Sequence, residues 1–377
     1  MQVLGDHMDY HFVGEEEVDS PSLVYYQDVI EENIKKAVEL AGGAERLWPH
    51  IKTHKTAGLL YLQMEKGIRR FKCATIAEAE LCARVGAPDV LLAYPLVGPK
   101  IARFAKLREK YSGTAFWAIG DNLEQLDLLG KAIMASHNKN PVSTLIDVNL
   151  GMNRTGVSPE KLKEFYLKAE KIEGLKIKGF HCYDGHLVMK DPEERNLAAS
   201  SATEKLWKVK KSLEKQGYEI PVMVMGGSPT FPCHRETPLV YLSPGTIFVQ
   251  DWEDAKYPDL DFTPGAAILS RVVSHPGQDL FTLDTGSKAI APDKIDRGII
   301  ADLPGAKAVA QSEEHWVWKL EKDPKAKVNL PPIGSILYII PAHICPCSVL
   351  YPGILVIKHG KQVDYWEVGA RNRKITV

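Results

Sequence analysis

From residue 22 to about residue 255 the chain alternates between two hydrophobic rhythms. Short runs dense in β-branched and aromatic residues, such as LVYY, RFKCAT, DVLLAYP, AFWAI, STLIDVNL, IKGFHCYD and PVMVMGG, are mostly followed by stretches whose apolar positions recur every three to four residues. Short buried strands alternating with amphipathic helices predict a parallel sheet with helical crossovers. About eight such units in one stretch predict an α/β fold, a (β/α)8 TIM-type barrel, better than a six-stranded doubly wound sheet. Beyond residue 255 the texture changes. AAILSRVVSH, DLFTLDTG, HWVWKL, SILYIIP, ILVIKHG and VDYWEVGA are separated by Gly, Pro and Asp turns, the pattern of a C-terminal, mostly antiparallel β domain. The expected division is therefore an acidic N-terminal segment over 1–18 that can join the β domain, a barrel over 19–256 and the β domain over 257–377. No repeat of 20–50 residues and no low-complexity tract interrupts it.

Composition narrows the function. With 377 residues, 45% hydrophobic and 25% charged, the chain is long enough for two packed cores. A net charge of -1 argues against nucleic acid or an anionic membrane as partner. No apolar run reaches the roughly 18 residues of a membrane span, and the opening residues lack a basic region followed by a long apolar one, so a cytoplasmic protein is expected. Six cysteines, at 73, 82, 182, 233, 345 and 347, are too scattered for a disulfide framework and fit a reducing compartment.

In a parallel barrel, chemistry collects at the carboxyl ends of the strands. Residues 47–56, LWPHIKTHKT, set two lysines and two histidines around Pro49, and the β-branched Ile51 and Thr53 predict a short strand ending near His54. Alternation then puts His50, Lys52 and His54 on one face. A lysine facing a barrel interior is desolvated, which lowers its pKa towards the nucleophilic amine that an imine-forming lysine needs; the same stretch also reads as a basic strand end with solvated charges. Lys72-Cys73-Ala74-Thr75 ends another strand. The loop from Asp147 to Gly156 holds Arg154 between two glycines, a fork suited to a carboxylate or a ring hydroxyl, or else a surface arginine meeting water. His181-Cys182-Tyr183-Asp184-Gly185-His186 gathers two imidazoles, a phenol and a carboxylate. Gly226, Gly227, Ser228 and Thr230 suit a phosphate cradle, although glycine turns are common, and 243–246 is a weaker second candidate. In the β domain, His343 and Cys345 on extended backbone aim the same way. Imidazole plus thiolate suits a divalent ion such as zinc with open positions, and the plainer alternative is a buried turn with inert thiols, Cys347 included. His315, in Gln311-Ser312-Glu313-Glu314-His315, is either a proton carrier or part of a solvated turn.

In their order and spacing, SPSLVYY, WPHIKTHK, KCATIAEAE, DVNLGMNRTGV, GFHCYDGH, MGGSPT, YLSPGTIFVQD, SEEH, PAHICP and DYWEVGAR run over nearly the whole chain. Through them the chain resembles the D-threonine aldolase and D-serine dehydratase family of fold-type III pyridoxal-phosphate enzymes, whose barrel is shared with alanine racemase. The resemblance implies a lyase in which Lys52 binds pyridoxal 5'-phosphate as an imine with His50 beside it. Gly226, Gly227, Ser228 and Thr230 would hold the phosphate, with Arg154 near the cofactor or the substrate carboxylate and Tyr183 near the ring. His343 and Cys345 would bind a divalent metal, zinc before manganese. It also implies a homodimer and a small-molecule D-amino acid substrate. His-x-Cys in place of His-x-Asp points to the dehydratase branch, with β-elimination of water from D-serine or a similar D-3-hydroxy amino acid. Retro-aldol cleavage of a D-threonine-like substrate to glycine and an aldehyde, with His186 or His315 as base, stays open. Amino-acid racemisation and non-catalytic pyridoxal-phosphate binding stand behind both.

Overall fold

The computed structural model describes residues 8–301, 303, 305–320 and 329–377, so the first seven residues of the 1–18 segment lie outside the described residues. The chain divides into two compact units, one of residues 35–245, 257–259 and 372–377, the other of the described residues up to 34, 246–256 and 260–371. Strand β1 (Ser22–Tyr26) leads into helix α1 (Gln27–Ala41). Its LVYY run reads in the sequence as a barrel strand, yet β1 pairs in parallel with β15 and antiparallel with β9, two strands placed below in the second unit.

The first unit then runs α2 (Ala57–Glu65), β2 (Arg70–Cys73), α3 (Ile76–Arg84), β3 (Asp89–Leu92), α4 (Pro99–Lys110), β4 (Ala115–Gly120), α5 (Leu123–Ala135), β5 (Val142–Asp147), α6 (Pro159–Ala169), β6 (Leu175–Cys182), α7 (Pro192–Glu214), β7 (Val222–Met225) and β8 (Val240–Leu242). These seven strands pair in parallel and in sequence order. Residues 47–50 close the ring as an eighth stave. Leu47 bridges Leu242 on β8 and His50 bridges Lys72 on β2. Trp48 donates its N–H to the Leu242 carbonyl and Lys72 donates to the Pro49 carbonyl, each at 2.7 Å. Pro49 has no N–H to give, which keeps this stave to isolated bridges in place of a full ladder.

Side chains from successive staves plug the interior: Trp48, Leu91, Ile119, Leu145, Val222 and Val224. Trp48 is fully buried, stands edge-on to Trp117 and Tyr241 at 5.3 and 5.6 Å, and donates its indole N–H to the Phe71 carbonyl at 2.8 Å. Each such side chain contributes about 1.5–3 kcal/mol by leaving water, and a plugged barrel leaves only its ends for chemistry. Helix starts are set by capping side chains: Thr75, Asn122 and Asp191 accept the N–H groups of Glu78, Gln125 and Glu194.

The second unit holds β9 (Ala266–Gly277), β10 (Leu280–Leu283), β11 (Gly298–Ile300), β12 (Ala306–Gln311), β13 (Trp316–Leu320), β14 (Ile336–Pro341), a short α8 (Ile344–Ser348), β15 (Gly353–Lys358) and β16 (Lys361–Glu367). Its sheet order is β12-β13-β10-β9-β1-β15-β16, with β14 also on β9 and β11 on β14. The sheet is antiparallel apart from β1 on β15, as the alternating texture after residue 255 predicts. Tyr10, Tyr26, Leu269, Tyr338 and Ile340 lie at the heart of its core. Among the described residues no helix is long and apolar enough to cross a membrane.

Candidate active site

The Lys52 segment is not the strand that its β-branched residues suggest. Beyond the stave at 47–50 the chain turns into a 3-10 helix, Ile51–Thr53, capped by His50, whose Nδ1 accepts the Lys52 N–H at 3.2 Å. Strand alternation is lost, so the expected trio separates. His50 and Lys52 face a common cavity; His54 is buried, its Nδ1 accepting the Thr56 N–H at 3.2 Å and its Nε2 without a hydrogen-bond partner. Burial, with the charge of Lys52 next, holds His50 well below the ordinary imidazole range, and burial takes His54 down to about 3. Lys55, in left-handed backbone at φ 53, pairs with the buried Glu78, which also accepts the Ala74 N–H at 2.7 Å. That buried pair pins the Lys52 turn to the loop after β2.

The cavity, of about 590 Å³, is lined by His50, Lys52, Lys72, Arg154, His181 and Tyr183 among others. Three cations surround the Tyr183 ring. Its centre is 5.8 Å from Lys52 Nζ, 5.4 Å from Lys72 Nζ and 4.9 Å from Arg154 Cζ. Arg154 is presented by a loop that needs glycine: a Cβ at Gly156, where φ is +107, would lie 2.5 Å from the Asn149 nitrogen. Lys72 is a site residue that the sequence shows only as a strand end. Its side chain is buried, and burial, then the charge of Lys52, brings its ammonium down to about 7. The available signal is a lysine between Phe71 and Cys73 in a strand covered on both faces, which leaves its side chain an inward course.

Behind the cavity two buried carboxylates hold imidazoles. Asp147 accepts from His181 Nδ1 at 2.7 Å. Asp184 accepts from Thr230 Oγ1 at 2.6 Å and from His234 Nε2 at 2.7 Å, while Thr230 Oγ1 accepts the Gly227 N–H at 3.0 Å. Burial would raise Asp184, but His234 and Thr230 outweigh it and hold the carboxyl below its usual range. The glycine turn is thus braced from below. Gly226 has φ +72, and a Cβ there would come within 2.6 Å of the Phe231 Cα. A Cβ at Gly227 would lie 3.1 Å from the Tyr183 ring, so the turn and that phenol are neighbours. The two candidate phosphate turns meet, since Ser228 Oγ accepts the Gly245 N–H at 3.3 Å and the Met225 carbonyl accepts the Ser243 N–H at 3.0 Å. Ser243 Oγ is buried there without a hydrogen-bond partner. A glycine-lined turn, nearby hydroxyls and one orphaned hydroxyl fit a phosphate group.

Neither of the two histidines expected as bases is among the residues that line this cavity. His186 is half-buried against Gly151, with Nδ1 enclosed and unpartnered, and does not line the cavity. His315 is exposed on the turn between β12 and β13.

In the second unit His343 is extended, but Cys345 already lies in the first turn of α8, so the pair is not on one extended run. The two side chains nevertheless hydrogen-bond. His343 Nδ1 lies 2.5 Å from Asp293 Oδ2, and Cys345 Sγ lies 3.6 Å from Thr246 Oγ1. Burial alone would lower the His343 pKa; Cys345, then Asp293, outweigh it and raise it to about 9. Among the described residues no three His, Cys, Asp or Glu side chains assemble as a ligand set. An adjacent imidazole and thiol fit a divalent ion held by two protein ligands. Cys347 is different. It is buried, pushed up to about 12 by burial, and its sulfur accepts the Ala291 N–H at 3.3 Å, an inert structural thiol.

Residues 26–251 match the family "Alanine racemase, N-terminal domain" and residues 265–357 the family "Putative serine dehydratase domain". The chain is 26% identical over 365 residues to a D-threonine aldolase from Arthrobacter sp, covering 94% of this chain and 93% of the relative. It is 24% identical over 391 residues to the D-serine dehydratase of Dictyostelium discoideum, covering 92% and 95%. In fold it is similar to the crystal structure of D-threonine aldolase from Filomicrobium marinum, with a TM-score of 0.87 at 24% identity over 97% of this chain and 100% of that one.

Proposed function

The chain belongs to the alanine racemase N-terminal domain family, among the lyases that follow this domain with a serine dehydratase domain, and from that premise we propose that it is a pyridoxal-phosphate- and metal-dependent lyase of D-configured 3-hydroxy amino acids. The observation that carries the reading is the setting of Tyr183, whose ring has Lys52 Nζ at 5.8 Å and the glycine turn at Gly227 against it. An amine, a flat ring and a phosphate cradle in one place are what this cofactor's aldehyde, pyridine and phosphate require.

Lys52 would hold the cofactor covalently, the turn at Gly226, Gly227 and Ser228 its phosphate, with Thr230 bracing that turn from below, and His50, Tyr183 and Arg154 its surroundings. Pyridoxal phosphate bound there supplies a sink for the electron pair left at Cα when a bond to that carbon breaks. Lys52, with its amine free, would move the proton at the substrate's Cα. Arg154 grips the substrate carboxylate with its fork. His181 gives its Nδ1–H to Asp147, which fixes the tautomer and leaves Nε2 as an acceptor. His343 and Cys345 would hold a divalent ion, zinc before manganese because a thiolate is a soft ligand, and such an ion supplies Lewis acidity towards a hydroxyl oxygen.

Cys345 in place of a carboxylate favours β-elimination of water, giving a 2-oxo acid and ammonia from D-serine. Retro-aldol cleavage to glycine and an aldehyde is the second reading, favoured by the likeness to the Arthrobacter aldolase. The test is one assay: purified protein with pyridoxal phosphate, offered D-serine and D-threonine with and without a chelator, scored for 2-oxo acid against glycine. The expected result is 2-oxo acid from D-serine, lost on chelation, with no turnover and no borohydride-fixed cofactor in Lys52→Ala. Neither product from any D-3-hydroxy amino acid would overturn the reading.

A further inference from the structure

The cavity holds a second amine for which neither reaction has yet a use. Lys72 leaves the carboxyl end of β2 with its side chain only 3% exposed. Its Nζ lies as close to the Tyr183 ring as that of Lys52, at 5.4 against 5.8 Å. Its backbone N–H is given to the Pro49 carbonyl, which locks the two lysine-bearing segments side by side. Among the described residues its ammonium makes no ion pair: Asp147 is taken by His181, and Asp184 by Thr230 and His234. A long cationic side chain buried without a counter-ion is costly and is found where it has work at the cavity it faces.

Resting on the lyase reading, we propose that Lys72 is a catalytic residue, the group that carries the proton at the substrate's β-oxygen. Within the same unit, His186 is not among the residues that line this cavity, whereas Lys72 is. The groups facing Lys72 set its charge. Lys52 and Arg154 oppose the ammonium, Asp184 and Asp147 support it, and burial outweighs them all, so that it titrates at about 7. His50 beside it is held neutral. An amine that is half-charged near neutrality both gives and takes a proton.

The same group serves either reaction. In elimination, Lys52 takes the Cα proton, the pair left at Cα forms a Cα–Cβ double bond as the Cβ–O bond breaks with its pair on oxygen, and the Lys72 ammonium protonates that oxygen, which leaves as water. In aldol cleavage, the neutral Lys72 takes the hydroxyl proton, the C–O bond becomes a carbonyl, and the Cα–Cβ bond breaks with its pair left at Cα, where Lys52, starting as the ammonium, gives a proton to form glycine; a proton passed from Lys72 to Lys52 restores both groups.

Lys72→Met and Lys72→Arg are the test, each checked first for cofactor loading by its absorbance band. The readouts are kcat on the 3-hydroxy substrate against pH, and the rate of Cα-proton exchange into deuterium oxide with D-alanine, which has no β-oxygen. We expect Lys72→Met to lower kcat about 100- to 10,000-fold, at least about tenfold more than it lowers exchange. The limb of the wild-type profile near pH 7 should vanish in both variants. Lys72→Arg keeps the charge but cannot titrate, so it should not restore kcat. Equal losses in turnover and exchange, or rescue by arginine, would overturn the assignment and make Lys72 an electrostatic support of Lys52. Wild-type protein that loads no cofactor or turns over no 3-hydroxy amino acid would overturn the lyase reading itself, a failure seen before any variant is made.

Discussion

Gly226 shows how little freedom the candidate site has at single positions. Its φ of +72 is left-handed, and a methyl group there would meet the Phe231 backbone at 2.6 Å. An alanine would cost about 1–2 kcal/mol in conformation alone and would push the turn away from the Asp184–Thr230 brace. Gly226→Ala is therefore expected to weaken pyridoxal-phosphate binding about tenfold or more, as read by absorbance titration, and unchanged affinity would remove that turn from the phosphate's site. Legibility divides sharply among such residues. Lys52, Arg154, Tyr183 and the glycines stand out because chemistry or backbone geometry demands their type. Lys72 and Asp184 do not, because the first needs the knowledge that β2 is covered on both sides, and the second acts through Thr230 and His234, which only the fold brings to it.

Short elements gave the sequence reading its hardest cases. Ile51 and Thr53 favour a strand, but the His50 cap and the Lys55–Glu78 tie favour a tight turn, and tertiary contacts won. The LVYY run, apolar throughout, carries no mark of which sheet it enters. Longer periodic stretches such as α4, α5 and α7 are legible from their apolar spacing. The turn at 50–54 also makes stability depend on pH. His54 titrates at about 3 when folded, below its ordinary value near 6.5 when unfolded, so the unfolded chain binds the proton first as pH falls. Stability is therefore full above about 6.5 and is lost progressively below it; at pH 5 His54 alone accounts for about 2 kcal/mol. Urea unfolding at pH 7 and pH 5 should show that loss, and His54→Asn, which keeps an acceptor for the Thr56 N–H, should shrink it by about that amount.

At the scale of the molecule, each unit carries its own apolar core, one around Trp48 and one around Tyr10 and Tyr338. Neither core is built on His343 or Cys345. Chelation is accordingly expected to abolish turnover while moving the thermal midpoint by no more than about 3 °C; a collapse of the midpoint would make the ion structural. Light scattering should give twice the chain mass, the homodimer that the family resemblance implies. The closing stave has one more consequence, for the order in which the protein is made. Leu47 and His50 have their neighbours on β8 and β2, at opposite ends of the barrel sequence. During synthesis the segment bearing Lys52 therefore emerges early and waits, one side unzipped, until the ribosome has delivered residue 242, so a nascent chain halted before β8 should be unable to capture its cofactor.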